Sequence, residues 1–150
     1  MPVLLWPLAS AATLVRSPAT PGQLRLGSAE ADQALRAADV VVCATSAREP
    51  LFDSALLAAD VVVIAVGSHE PDARELDAAL LGRATVVVED VATALREAGD
   101  VVLAIAEGAL TADRLVPMRE LAGGTTVPAA GRPVVFKSCL LYTSPSPRDS

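Results

Sequence analysis

Aromatic side chains are nearly absent: two Phe, one Trp and one Tyr make up 3% of 150 residues. Apolar residues nevertheless reach 52%, so Val, Ala and Leu must fill the core of a chain whose length suits a single domain. Positive charge is in deficit, 12 Lys and Arg against 18 Asp and Glu, for a net charge of −6. Nucleic acid and anionic membrane surfaces both select for clustered basic side chains, so neither is expected as a partner. The two cysteines, Cys43 and Cys139, are too few and too far apart for a disulfide framework. Cys43 closes an apolar run and reads as a small buried hydrophobe. No apolar stretch reaches the roughly 18 residues that a membrane-spanning helix needs. Residues 1–12 have no basic start and are broken by Pro2 and Pro7, which argues against a secretory signal. A reducing cytoplasm is the expected compartment. His69 is the single histidine, and scattered carboxylates around it offer no metal-ligand spacing, so no metal site is expected.

What is present is a set of valine-rich runs. Ala37-Ala38-Asp39-Val40-Val41-Val42 and Ala58-Ala59-Asp60-Val61-Val62-Val63 are near-copies, and Ala84-Thr85-Val86-Val87-Val88 follows. Each is short, β-branched and continuous, as expected of strands buried on both faces of a parallel sheet. Helical signals lie between them. Ser28 is placed to cap a helix with Glu30 and Asp32 in its first turn and Ala31, Ala34, Leu35 and Ala38 along one stripe. Pro71 is predicted to open a second helix that Gly82 stops, which makes Glu75 and Asp77 helix-face charges. Asp90 is predicted to cap a third, ending before Gly99. Residues 101–105 read equally as strand or helix. Residues 123–133, rich in Gly, Pro and Thr, predict a loop, and Val134-Val135-Phe136 a last strand. Alternating strand and helix predicts an α/β layer with right-handed crossovers.

The two ends read differently. Residues 1–23, with Pro2, Pro7, Pro18 and Pro21, show no periodicity and are expected to be irregular or a misread start. Cys139-Leu140-Leu141-Tyr142-Thr143-Ser144-Pro145-Ser146-Pro147-Arg148-Asp149 matches, codon for codon, one reading frame of a transposase sequencing adaptor. Residues 139–150 are therefore expected to be a disordered assembly scar, leaving 24–138 as the folded domain.

Open parallel sheets bind ligands beyond the carboxyl ends of their strands. There the first run is followed by Cys43-Ala44-Thr45-Ser46 and the second by Ala65-Val66-Gly67-Ser68-His69. Small residues would let a flat ring or a sugar approach the backbone, and a hydroxyl such as that of Thr45 bonds sugar or phosphate oxygens. The same residues read equally well as ordinary polar turns.

These stretches carry a resemblance. Ala38-Asp39-Val40-Val41-Val42-Cys43-Ala44-Thr45-Ser46, then the Gly67, Pro71, Glu75 and Leu76 spacing, then Thr85-Val86-Val87-Val88-Glu89-Asp90, Glu97-Ala98-Gly99-Asp100, Glu107-Gly108 and Val135-Phe136-Lys137-Ser138 resemble the ornithine cyclodeaminase and mu-crystallin family over residues 24–138. The resemblance implies a partial Rossmann-like sheet with flanking helices, binding NAD or NADP. It implies hydride exchange between the nicotinamide and a small amino or imino acid, as in cyclodeaminases, reductases of ketimines and cyclic imines, or alanine dehydrogenases. It also implies a homodimer in an intact parent of which this chain is an inactive fragment. A non-catalytic small-ligand-binding protein like mu-crystallin is the alternative.

Carried over by position, Thr45 is implied to contact the cofactor. Val63, Ile64, Ala65 and Val66, with Gly67, form the strand end against its nicotinamide half, and Ser138 lies beside it. His69 stands where the cyclodeaminase pattern Gly-x-Asp-x-Pro-Gly-Lys-x-Glu-Leu has its acid/base aspartate, and Ala73 stands where it has lysine. That departure weighs against ornithine cyclisation. An imidazole there could still move protons near neutral pH, although it also reads as a surface turn histidine. No Gly-x-Gly-x-x-Gly occurs, so the usual pyrophosphate-cradling first βα unit is missing from these residues.

Overall fold

The computed structural model describes residues 3–5, 14–17 and 20–139. Eight strands form one sheet: β1 (Val3–Leu5), β2 (Leu14–Ser17), β3 (Thr20–Arg25), β4 (Val40–Cys43), β5 (Val62–Ala65), β6 (Thr85–Val88), β7 (Leu115–Pro117) and β8 (Val134–Lys137). Their spatial order is β3-β2-β1-β4-β5-β8-β6-β7. From β1 to β7 every pairing is parallel, and only the β1–β2 and β2–β3 pairings are antiparallel. The valine runs are these strands, because β-branched side chains suit a pleated and covered surface. Flanking helices are α1 (Ala29–Arg36), α2 (Ala78–Arg83), α3 (Val91–Glu97), α4 (Gly99–Ala106) and α5 (Met118–Ala122). The architecture is α/β and Rossmann-like. No described helix is long and apolar enough to cross a membrane.

Two of the expected caps are in place. Ser28 Oγ accepts from Ala31 N–H at 3.2 Å, and Asp90 Oδ1 from Thr93 N–H at 2.8 Å. Residues 101–105 belong to α4, a helix whose Val101 and Ala104 are buried in the core. The Asp90 helix ends at Glu97, before Gly99 as expected, and Gly99 begins the next helix. A Cβ on Gly99 would lie 1.8 Å from Ala73 O, so only glycine lets α4 press against the 70–73 segment.

The Pro71 helix does not form. Residues 71–77 are irregular, and the helix starts only after Asp77, whose Oδ1 caps Leu80 N–H at 2.8 Å. The backbone N–H groups of Glu75 and Leu76 are both captured by Asp100 Oδ1 at 2.8 Å, which holds the segment out of helical geometry. Gly82 lies inside α2, where a Cβ would meet Ala109 O at 3.0 Å, so it serves close packing and not termination.

Within residues 1–23, where no regular element was predicted, the backbone forms β1, β2 and the start of β3. Pieces of three or four residues are too short to show a period, and Pro21 is tolerated because β3 is an edge strand. At the other end Cys139 packs into the core beside β8 and is not part of a loose tail. Residues 140–150 lie outside the described residues.

Candidate functional site

The parallel register aligns Cys43 with Ala65, Ala65 with Lys137, and Val88 with Lys137. These residues form a row across the buried face at the carboxyl ends of β4, β5, β8 and β6. Small side chains at Cys43 and Ala65 leave room there for longer ones. The space is filled by charge. Lys137 Nζ lies 3.2 Å from Asp100 Oδ2, and both side chains are wholly buried. Glu75 is also fully buried, at 0% exposure.

Glu75 reaches both loops that were predicted to form the site. Its Oε1 accepts from Thr45 N–H at 2.6 Å and from the Thr45 hydroxyl at 2.8 Å. Its Oε2 accepts from Gly67 N–H at 2.9 Å. Gly67 is forced to be glycine: a Cβ there would lie 2.0 Å from Thr45 O and 2.6 Å from Glu75 Oε1. The Thr45 oxygen also accepts from Ala47 N–H at 3.2 Å, closing a hydroxyl turn. Above this, the exposed Arg48 guanidinium binds Glu70 Oε2 at 2.8 Å and also pairs with Asp72, tying the 44–50 loop to the 67–73 loop. The Ser68 hydroxyl donates to Ala73 O.

The predicted site residues thus converge on one end of the sheet. Val66 N–H donates to Cys43 O at 2.8 Å and Ser138 N–H to Ala65 O at 3.0 Å, which extends the strands past their ends. The Ser138 hydroxyl turns to Glu89 Oε1 at 2.9 Å. Val63 and Ala65 are sealed in the core, while Ile64 lies on the less covered face of β5. His69 is exposed, and its Nδ1 is 3.3 Å from Gly67 O, a hydrogen bond when that nitrogen carries the proton.

The charged trio was missed by sequence reasoning. Glu75 is no helix-face charge, because it precedes the helix and points under the loops, and Asp77 is a cap. Lys137 carried a signal: it shares strand phase with Val135, so it had to face the core or break the pattern. Asp100 stood alone in the apolar stretch Gly99-Asp100-Val101-Val102-Leu103-Ala104. Beside the trio the Cys43 thiol is held well above its ordinary pKa, first by burial and then by the Glu75 and Asp100 carboxylates, with Lys137 opposing.

With this geometry in view, comparison with known proteins is decisive for lineage. Residues 24–127 match the model of the ornithine cyclodeaminase/mu-crystallin family. The chain belongs to that family. It is 36% identical over 89 residues to the delta(1)-pyrroline-2-carboxylate reductase of Colwellia psychrerythraea, an alignment covering 59% of this chain and 28% of that protein. Among solved structures it resembles the Thermococcus litoralis delta(1)-pyrroline-2-carboxylate reductase in complex with NADH and L-proline. That match has a TM-score of 0.67 and 28% identity, covering 72% of this chain and 34% of that one. It also resembles an archaeal alanine dehydrogenase dimer with bound NAD, with a TM-score of 0.65 and 25% identity, covering 72% of this chain and 34% of that one. The chain therefore spans about a third of the length of these family members. Ala73 is buried, while His69 is exposed.

Proposed function

We propose that this chain forms the nicotinamide-side half of an NAD- or NADP-dependent site that exchanges hydride with a small amino or imino acid. The carrying observation is the pairing of the Thr45 and Gly67 loops at the carboxyl ends of adjacent parallel strands, where open α/β sheets take their ligands. The donor set favours the nicotinamide half over the pyrophosphate. The N–H groups of Thr45, Val66, Gly67 and Ser138 are all engaged within the protein, so they offer an anion nothing, and Lys137 is buried with its charge countered by Asp100. When bound, the nicotinamide supplies the hydride chemistry. Gly67 and Val66 bring the backbone up to a flat ring, Thr45 and Ser138 border it, and His69 is the side chain free to hold or move a proton at Nε2.

Reduction of a cyclic imine or ketimine, or alanine-dehydrogenase-type chemistry, fits better than cyclodeamination, because His69 replaces the aspartate of the cyclodeaminase pattern. The named relatives support this reading, and the alanine dehydrogenase dimer supports a homodimer for the intact protein. Without a glycine loop in these residues, the chain alone should bind dinucleotide weakly. The test is an NMR titration of the chain with reduced nicotinamide mononucleotide. Shifts concentrated at Thr45, Val66, Gly67, His69 and Ser138 are expected; shifts elsewhere, or none, would refute the assignment.

A further inference from the structure

We propose that Glu75 is a positioning residue that sets the hydrogen-bond polarity of this pocket, making the Thr45 hydroxyl an acceptor toward any ligand. The inference rests on the site proposed above but follows from contacts the cofactor does not make. A hydroxyl has one proton and two acceptor lone pairs. The Thr45 proton goes to Glu75 Oε1 at 2.8 Å, and one lone pair takes Ala47 N–H at 3.2 Å. One lone pair is left for a further donor, and Thr45 is not fully sealed, at 9% exposure. The ligand group that fits is a donor, such as a ribose hydroxyl or a carboxamide NH2. A phosphate oxygen, which only accepts, is repelled.

The same carboxylate withdraws the Thr45 and Gly67 N–H groups, at 2.6 and 2.9 Å, from any anion. These two N–H groups, from neighbouring strand ends, already converge on one carboxylate and without it would be open to another anion. Glu75 is that resident carboxylate. It is held there from behind: its own N–H is anchored by Asp100 Oδ1 at 2.8 Å, and Asp100 is countered by Lys137. The chain Lys137, Asp100, Glu75, Thr45 thus links the middle of the sheet to the ligand-facing hydroxyl.

Glu75→Gln tests this on the full 150-residue chain. An amide has one acceptor oxygen, so the side chain cannot serve both loops. Reduced nicotinamide mononucleotide should bind up to about tenfold more weakly, the scale of one hydrogen bond. Inorganic phosphate should leave the wild-type Thr45 and Gly67 amide resonances unmoved and should shift them in the variant. That gain of an anion response is not produced by general loosening. A folded Glu75→Gln protein that binds the mononucleotide like wild type and ignores phosphate would overturn the proposal. If Glu75→Gln does not fold, Thr45→Val decides, since it keeps both N–H bonds to Glu75 and removes the hydroxyl, with the bond it donates to Glu75 and the one it accepts from Ala47 N–H. It should lose mononucleotide affinity by a similar factor, and unchanged affinity would overturn the proposal. A wild-type chain indifferent to the mononucleotide would defeat the function proposed above, while the phosphate response would still decide the role of Glu75.

Discussion

At the scale of single residues, the buried charges are where stability is most exposed to substitution. Lys137 and Asp100 are both inaccessible to water, and their ion pair at 3.2 Å is the countercharge each possesses among the described residues. Breaking a buried pair from one side leaves a naked charge and costs about 3–5 kcal/mol. Lys137→Met should lower the free energy of unfolding by that order in urea titrations. Adding Asp100→Asn should recover much of the loss, because an amide oxygen still accepts from Glu75 and Leu76 N–H without carrying charge. Equal losses in the single and double variants would show that the pair carries no such coupling. Cys43 extends the same logic to pH. Its folded pKa lies above the ordinary thiol value of 9.0, so the neutral thiol stabilises the fold fully below that value. The contribution is lost as pH rises past it toward the folded value, since only the unfolded chain ionises readily. Unfolding free energy should therefore decline above about pH 9 in wild type and decline less in Cys43→Ala. Iodoacetamide should label Cys43 at the rate of global unfolding.

At the scale of elements, local chemistry decided what the sequence could reveal. Caps at Ser28 and Asp90 and the valine runs of β4, β5 and β6 were legible, because each depends on neighbours within a few residues. The stretch around Pro71 was not, because its conformation is set by Asp100, which lies 25 residues from Glu75 in the chain. The same distance hid Glu75: a carboxylate in a stretch expected to be helical looks like a helix-face charge until the fold carries Thr45 and Gly67 to it. Lys137 was legible in principle, since its strand phase, shared with Val135, points inward. The loops around Thr45 and His69 were correctly expected at one end of the sheet, since consecutive parallel strands must end together. Their interlocking turns on Gly67. An alanine methyl there would overlap the Thr45 backbone at 2.0 Å, and backbone cannot swing aside as a side chain can. Gly67→Ala should destabilise the chain by at least about 3 kcal/mol in thermal or urea unfolding. A variant with wild-type stability would mean that the two loops are not in contact in solution.

At the scale of the whole molecule, the parallel α/β layer was readable from alternation, but strand order was not. Periodicity marks a strand without saying which slot it fills. The fold departs from sequential order twice: β4 pairs with β1 and not with β3, and β8 sits between β5 and β6 and bonds to both. Its N–H and C=O groups are shared by two halves that otherwise do not pair in the sheet. Deleting residues 134–150 should therefore abolish cooperative thermal unfolding followed by circular dichroism, and a single sharp transition in the truncated chain would contradict this topology.

The placement of β8 also has a meaning for how the protein is made. A ribosome releases this chain from its amino end, so β5 and β6 emerge with a vacant slot between them that stays open until almost all of the described sequence has been translated. Folding cannot then keep pace with synthesis. Until β8 arrives the nascent chain carries two bare strand edges, the kind of surface on which strands of other unfinished chains can pair.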